Sequence, residues 1–218
     1  MEGSKGMIRE EFTEKEWDFP FVVYRPEHLQ DDLPLLVQLH GYGEAGNGVD
    51  DLYKVDIYGF SYMLTEEASY PCIFVLPQCR TDSFWAAEIP NIYRFIQELK
   101  RKYKVNEKRV YLTGHSMGGY GTWLTALRHP GIFAAIAPVC GGGMVWKAAI
   151  LDMPVWAIHG SEDDVVYPAE TINMIHKIRM AGVNKNEVKI TILDNVGHNA
   201  WDYAYTPELL EWMLSKSR

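Results

Sequence analysis

Cysteine is scarce: Cys72, Cys79 and Cys140 are the three the chain has. An odd number, set in or beside apolar strand-like runs, excludes a disulfide framework and reads as free thiols serving as small hydrophobes. A reducing, cytoplasmic setting is the matching expectation. Long apolar runs are missing as well. None approaches the roughly 20 residues that cross a bilayer, and the polar, acidic residues 1–11 lack the apolar centre of a signal peptide, so no membrane partner is expected. Positive charge is thin and scattered. There are 21 Lys and Arg against 29 Asp and Glu, for a net charge of −8, and the one dense basic stretch is 100–102. That excludes a phosphate-tracking surface and makes nucleic acid a poor partner. Internal repeats and low-complexity linkers are absent too, so the 218 residues are read as a single domain, 1–218.

What is present alternates. Apolar, β-branched runs at 33–39, 72–76, 110–113, 134–139, 154–158 and 188–193 follow an N-terminal run at 19–25. Helical patterns occupy 92–103, 117–128, 168–181 and 207–216. Strand alternating with helix predicts an α/β fold, a three-layer sandwich with a mostly parallel central sheet covered on both faces. Residues 8–13 and 19–24 would add an antiparallel edge. Polar, glycine-containing loops leave most strands at their carboxyl ends, where sheets of this kind carry their sites.

At one of those ends stands Gly114-His115-Ser116-Met117-Gly118-Gly119, a nucleophile elbow between a strand-like and a helix-like run. A serine hydroxyl is a weak nucleophile and needs a general base, which in turn needs an acid to orient it. On a strand-turn-helix elbow the expected chain order is Ser, then Asp or Glu, then His. After Ser116 the order is met by the acidic loop Glu162-Asp163-Asp164 following the 154–158 strand, and by His198 following the 188–193 strand. The other six histidines fit less well. His28 precedes the first central strand, His129 and His176 lie in or at the end of helices, and His40 and His159 close strands without following the acid.

Acyl transfer also needs two N–H donors for the developing oxyanion. The Met117 amide, at a helix N-terminus just after Ser116, is one candidate. The Tyr42 amide, in the glycine-rich loop Leu39-His40-Gly41-Tyr42-Gly43, is the other. That loop lacks the Gly-Lys-Ser/Thr ending of a phosphate cradle. No metal or other cofactor is expected.

These segments, together with Pro77-Gln78-Cys79, Tyr120-Gly121-Thr122-Trp123, His159-Gly160-Ser161-Glu162-Asp163 and Gly197-His198, resemble the compact microbial carboxylesterases of the α/β-hydrolase superfamily. The lineage is that of polyhydroxybutyrate-depolymerase-like, feruloyl and acetyl esterases. The resemblance runs from about Phe19 to the C-terminus and selects Asp163 as the acid, with Asp164 in reserve. Dienelactone hydrolases, which are related, carry cysteine at the elbow, and Ser116 departs from them. The resemblance implies a serine ester hydrolase with a catalytic triad of Ser116, Asp163 and His198 and an acyl-enzyme intermediate.

Spacing bears on the substrate. Only 140–153 separates the strands where this fold usually inserts a cap, so no cap domain and an open site are expected. Trp85, on the long loop after 72–76, and His115, beside Ser116 with its ring directed away from the hydroxyl, are candidate substrate contacts. Trp85 would otherwise pack beneath its loop. Short-acyl or aromatic-acyl esters, such as acetyl or feruloyl groups on plant polysaccharide fragments, are the expected substrates. The alternatives are a serine peptidase or thioesterase using the same triad, or a non-catalytic binding protein that kept the fold.

Overall fold

The computed structural model describes residues 6–13, 16–65, 67–182 and 187–218. Its eight strands are β1 (Met7–Phe12), β2 (Phe21–Pro26), β3 (Leu35–Leu39), β4 (Ile73–Pro77), β5 (Val110–His115), β6 (Ala135–Val139), β7 (Val155–Gly160) and β8 (Val188–Leu193). They form one sheet in the order β1-β2-β4-β3-β5-β6-β7-β8. β1 runs antiparallel to β2 and β2 to β4, while β4, β3, β5, β6, β7 and β8 are mutually parallel. The expected strands are all there, with ends shifted by at most two residues.

Helices α1 (Ile89–Tyr103), α2 (Met117–Arg128), α3 (Ala169–Ala181), α4 (Trp201–Ala204) and α5 (Pro207–Leu214) follow the parallel strands. Side chains alternate across a strand, and β5 shows the result. Val110 and Leu112 enter a core closed by Phe95 of α1, Trp123 of α2 and Met174 of α3, while Tyr111 enters the opposite core with Leu209 and Met213 of α5. Because β3 to β6 are covered on both faces, their residues are buried throughout. This explains why they read as continuous apolar runs rather than alternating ones. The second face is completed by 3-10 turns at Leu52–Asp56 and Phe60–Met63, which send Leu52, Val55 and Phe60 into the core. No helix among the described residues is long and apolar enough to cross a membrane.

The segment between β6 and β7 holds a 3-10 turn, Val145–Ile150, and no cap. All three cysteines are buried and free. The sheet edge where β3, β4, β6, β7 and β8 end is therefore flanked by loops alone, and the site is built there.

Phe95 has no exposure and meets Trp17, Phe19 and Phe21 edge-on at 6.0, 5.6 and 5.0 Å. Phe95→Ala is expected to lower unfolding free energy by about 3–5 kcal/mol, measured as a reduced urea midpoint at unchanged m-value.

Candidate active site

β5 ends at His115 and α2 begins at Met117, leaving Ser116 alone to make the turn. Its φ of 52° and ψ of −117° are costly for a residue with a Cβ, by about 1–3 kcal/mol. Crowding maintains them. A Cβ on Gly114 would stand 2.5 Å from the Gly118 carbonyl oxygen, and one on Gly118 would stand 2.0 Å from that of Leu39. Only glycines let the helix start this close to β3. The Ser116 N–H donates to the Val139 carbonyl at 3.0 Å, pinning the turn to β6.

His198 and Asp163 arrive on neighbouring loops. The amide of Ser161 donates to Leu193 O and that of Glu162 to Val196 O, both at 2.9 Å, so the loops after β7 and β8 are joined. Asp163 is buried, whereas Glu162 and Asp164 on either side are exposed. Asp163 Oδ1 accepts the Val165 and Val166 amides at 3.0 and 2.9 Å, and Oδ2 lies 2.8 Å from His198 Nδ1. On the other side of that ring, Nε2 lies 2.8 Å from Ser116 Oγ. With Nδ1–H directed at the carboxylate, Nε2 is left to accept the serine proton. Burial opposes ionisation of Asp163, but the bonds from His198 and the two amides outweigh it, and its pKa lies below the usual value of 3.8.

Similarity to known proteins agrees with this geometry. Residues 79–173 match the Esterase family model. A bifunctional acetylxylan esterase/xylanase of Neocallimastix patriciarum is 32% identical over 152 residues, covering 66% of this chain and 21% of that protein. A thermostable esterase of known structure is 27% identical, with a TM-score of 0.79 over 97% of this chain and 63% of its own. The feruloyl esterase module from Clostridium thermocellum, solved with sinapinate, shares the fold at 17% identity, with a TM-score of 0.69 over 96% of this chain and 88% of that one. The chain has the α/β-hydrolase fold, and its central part is similar to the Esterase family. It spans about a fifth of the acetylxylan esterase/xylanase and less than two thirds of the thermostable esterase.

The remaining expected site residues fall into two groups. Met117 opens α2, and Tyr42 opens a 3-10 turn, Tyr42–Glu44, with Gly41 as its N-cap. Amides at first helical positions have no partner inside the helix, as an anion site requires. His115 and Trp85, in contrast, do not face a substrate. His115 is buried. It shares its side of β5 with Tyr111 and Thr113, so its ring enters the core with Tyr58, Trp201 and Tyr205. Trp85 is fully buried, edge-on to Phe19 and His40, and donates its indole N–H to the His40 carbonyl at 2.9 Å. The loop folds back on the sheet because so large an apolar ring gains more inside than outside, and Phe84 takes the exposed position.

Two residues not singled out in the sequence hold the loop after β3. The buried Glu44 carboxylate accepts the Gly41 amide at 2.7 Å and lies 3.0 Å from His115 Nε2, tying Tyr42's loop to the strand that carries Ser116. Burial opposes the Glu44 charge, yet the bond to His115 and its neighbours prevail and lower its pKa. His40 keeps Nδ1 2.5 Å from the Gly41 carbonyl and accepts the Cys79 amide at Nε2 at 2.8 Å. Burial drives its pKa down to about 4, so it serves as a neutral strut. A glutamate three residues past an N-cap is the sequence signal by which Glu44 could have been found.

Among the described residues, Cys140, His159 and Asp163 alone place ligand-type atoms of three such residues within 4.8 Å of one another. All are buried, and an ion there would have to displace the hydrogen bonds of Asp163.

Glu44→Ala is expected to lower kcat about tenfold to a hundredfold through a loosened oxyanion loop with KM little changed, read from steady-state ester kinetics. Trp85→Phe should cost about 1–2 kcal/mol of stability and leave KM unchanged. The depressed pKa values of Glu44 and Asp163 contribute stability that is present above the ordinary carboxylate pKa of about 4 and lost as pH falls through the folded values. Urea midpoints should drop in that acid range, less steeply in Glu44→Gln.

Proposed function

We propose that the chain is a serine carboxylesterase acting through an acyl-enzyme on Ser116, with short-acyl or aromatic-acyl esters as substrates. The observation that carries this reading is the line of two 2.8 Å contacts from Asp163 through His198 to Ser116 Oγ, held on a strained elbow. As Ser116 Oγ attacks the ester carbonyl carbon, its proton passes to His198 Nε2, and Asp163 supports the imidazolium that forms. The Met117 and Tyr42 amides receive the oxyanion. Collapse breaks the bond to the alcohol oxygen, which takes the proton from His198. Water then attacks the acyl-enzyme with the same base, releasing the acid and restoring Ser116.

Acetyl or feruloyl groups on plant polysaccharide fragments are the substrates we assign. Likeness to the acetylxylan esterase/xylanase and to the feruloyl esterase module supports this. The uncapped edge supports it too, because a polymer can reach an open site. Phe84, Trp146 and Tyr167, exposed on loops leaving β4, β6 and β7, offer flat apolar surfaces suited to sugars or aromatic acyl groups.

The test is a panel of p-nitrophenyl esters from acetyl to long acyl chains, with methyl ferulate and acetylated xylan. Turnover should favour acetyl or feruloyl esters and fall at least about 10⁴-fold in Ser116→Ala. Equal rates in wild type and variant would overturn the mechanism, and a preference for long acyl chains would overturn the substrate assignment.

A further inference from the structure

Asp163 is met by a second histidine. His159, the penultimate residue of β7, is fully buried. Its Nε2 stands 3.2 Å from Asp163 Oδ2 and 2.8 Å from the Val166 carbonyl, while Nδ1 stands 2.8 Å from Thr171 Oγ1. Both neighbours of Nε2 accept and neither donates, so Nε2 carries a proton whatever the charge on the ring. That proton has the Val166 carbonyl as its nearer acceptor and Asp163 Oδ2 as its farther one. Oδ2 also takes His198 Nδ1–H, Oδ1 takes two backbone amides, and the Cys140 thiol borders the same carboxylate.

The far side of the ring decides its charge. Thr171 Oγ1 lies 2.7 Å from the Gly141 carbonyl, which can only accept. When Thr171 donates there, Nδ1 must donate to Thr171 and His159 is an imidazolium. In the neutral ring, Thr171 turns its proton to Nδ1 instead. Burial lowers the pKa of His159, so the neutral form takes over as pH rises, and the Nε2 proton stays between Val166 O and Asp163 Oδ2 in both forms.

Resting on the esterase reading above, we propose that His159 is a positioning residue: it shares its Nε2 proton between the Val166 carbonyl and the same oxygen of Asp163 that holds His198, limiting the carboxylate's rotation and drawing part of its charge away from His198. The other ionisable groups around the pair are His198 and Cys140, with Tyr120 of α2 facing Asp163 and the exposed Glu170 of α3 facing Tyr120. Burial holds the Cys140 thiol up at about 12 and raises Tyr120, so both stay protonated at neutral pH. Loss of the His159 donor leaves more carboxylate charge on His198 and makes that base easier to protonate.

The experiment measures kcat and KM against pH on p-nitrophenyl acetate for wild type, His159→Gln and His159→Leu. Glutamine keeps an N–H near the Nε2 position; leucine fills the space without one. His159→Leu should lose about tenfold in kcat with KM little changed and the acid limb moved to higher pH, and His159→Gln should recover most of both. Equal loss in the two variants, or a wild-type profile in folded His159→Leu, would overturn the proposal. A ¹⁵N-histidine NMR spectrum of the wild type needs neither turnover nor the variants. A proton on His159 Nε2 from about pH 5 to 9 is expected, and its absence would overturn the proposal even if the variants fail to fold. Absence of Ser116-dependent turnover with that proton present would sink the esterase reading alone.

Discussion

The arrangement of the whole site depends on a contact with no side chain in it: the backbone of Gly118 against the backbone of Leu39, so close that a Cβ would sit 2.0 Å from a carbonyl oxygen. This approach brings the first turn of α2 against the end of β3. It also leaves Ser116, just ahead of that turn, no relaxed backbone to adopt. The strain of about 1–3 kcal/mol is sustained by the buried sheet on both sides of β5. A small energetic defect at one residue thus gives the hydroxyl a fixed direction.

Around that point, buried polar groups act as fasteners between loops. Glu44 and His115 join the loop after β3 to the end of β5, and His40 joins it to the loop after β4. Gln78 donates to the carbonyls of Glu44 and Asp51 and accepts from Gly48. Asp163 gathers the loops after β7 and β8. A buried polar group left unmet costs about 1–3 kcal/mol, so any loop that moved would leave several groups unmet together. That makes rigid positioning of the Tyr42 loop and of His198 a consequence of ordinary polar satisfaction.

Much of this was legible in the chain itself. Apolar runs at strand length, helical patterns between them and glycine-bearing loops at the strand ends led to the layers, and the strand ends moved by two residues or fewer. The elbow, the acidic loop and His198 were likewise readable, because a strained turn restricts which residues are tolerated and the fold restricts their order. The 3-10 turns between β3 and β4 were not readable, since their apolar residues follow neither a strand nor an α-helical period. Trp85 and His115 were read as substrate contacts because loop position and adjacency to Ser116 carry no information about which way a ring turns.

By itself, then, the sequence determined the alternation of elements and the residue types able to do acyl chemistry in their chain order, since both follow from local rules of period, turn and spacing. Tertiary structure alone decided which face each ring occupied, that the Asp163 carboxylate is buried against His198, and that Glu44 meets His115. These depend on contacts between residues 35 to 71 positions apart or on the twofold alternation of a strand already placed in its sheet, and no local pattern encodes such distances.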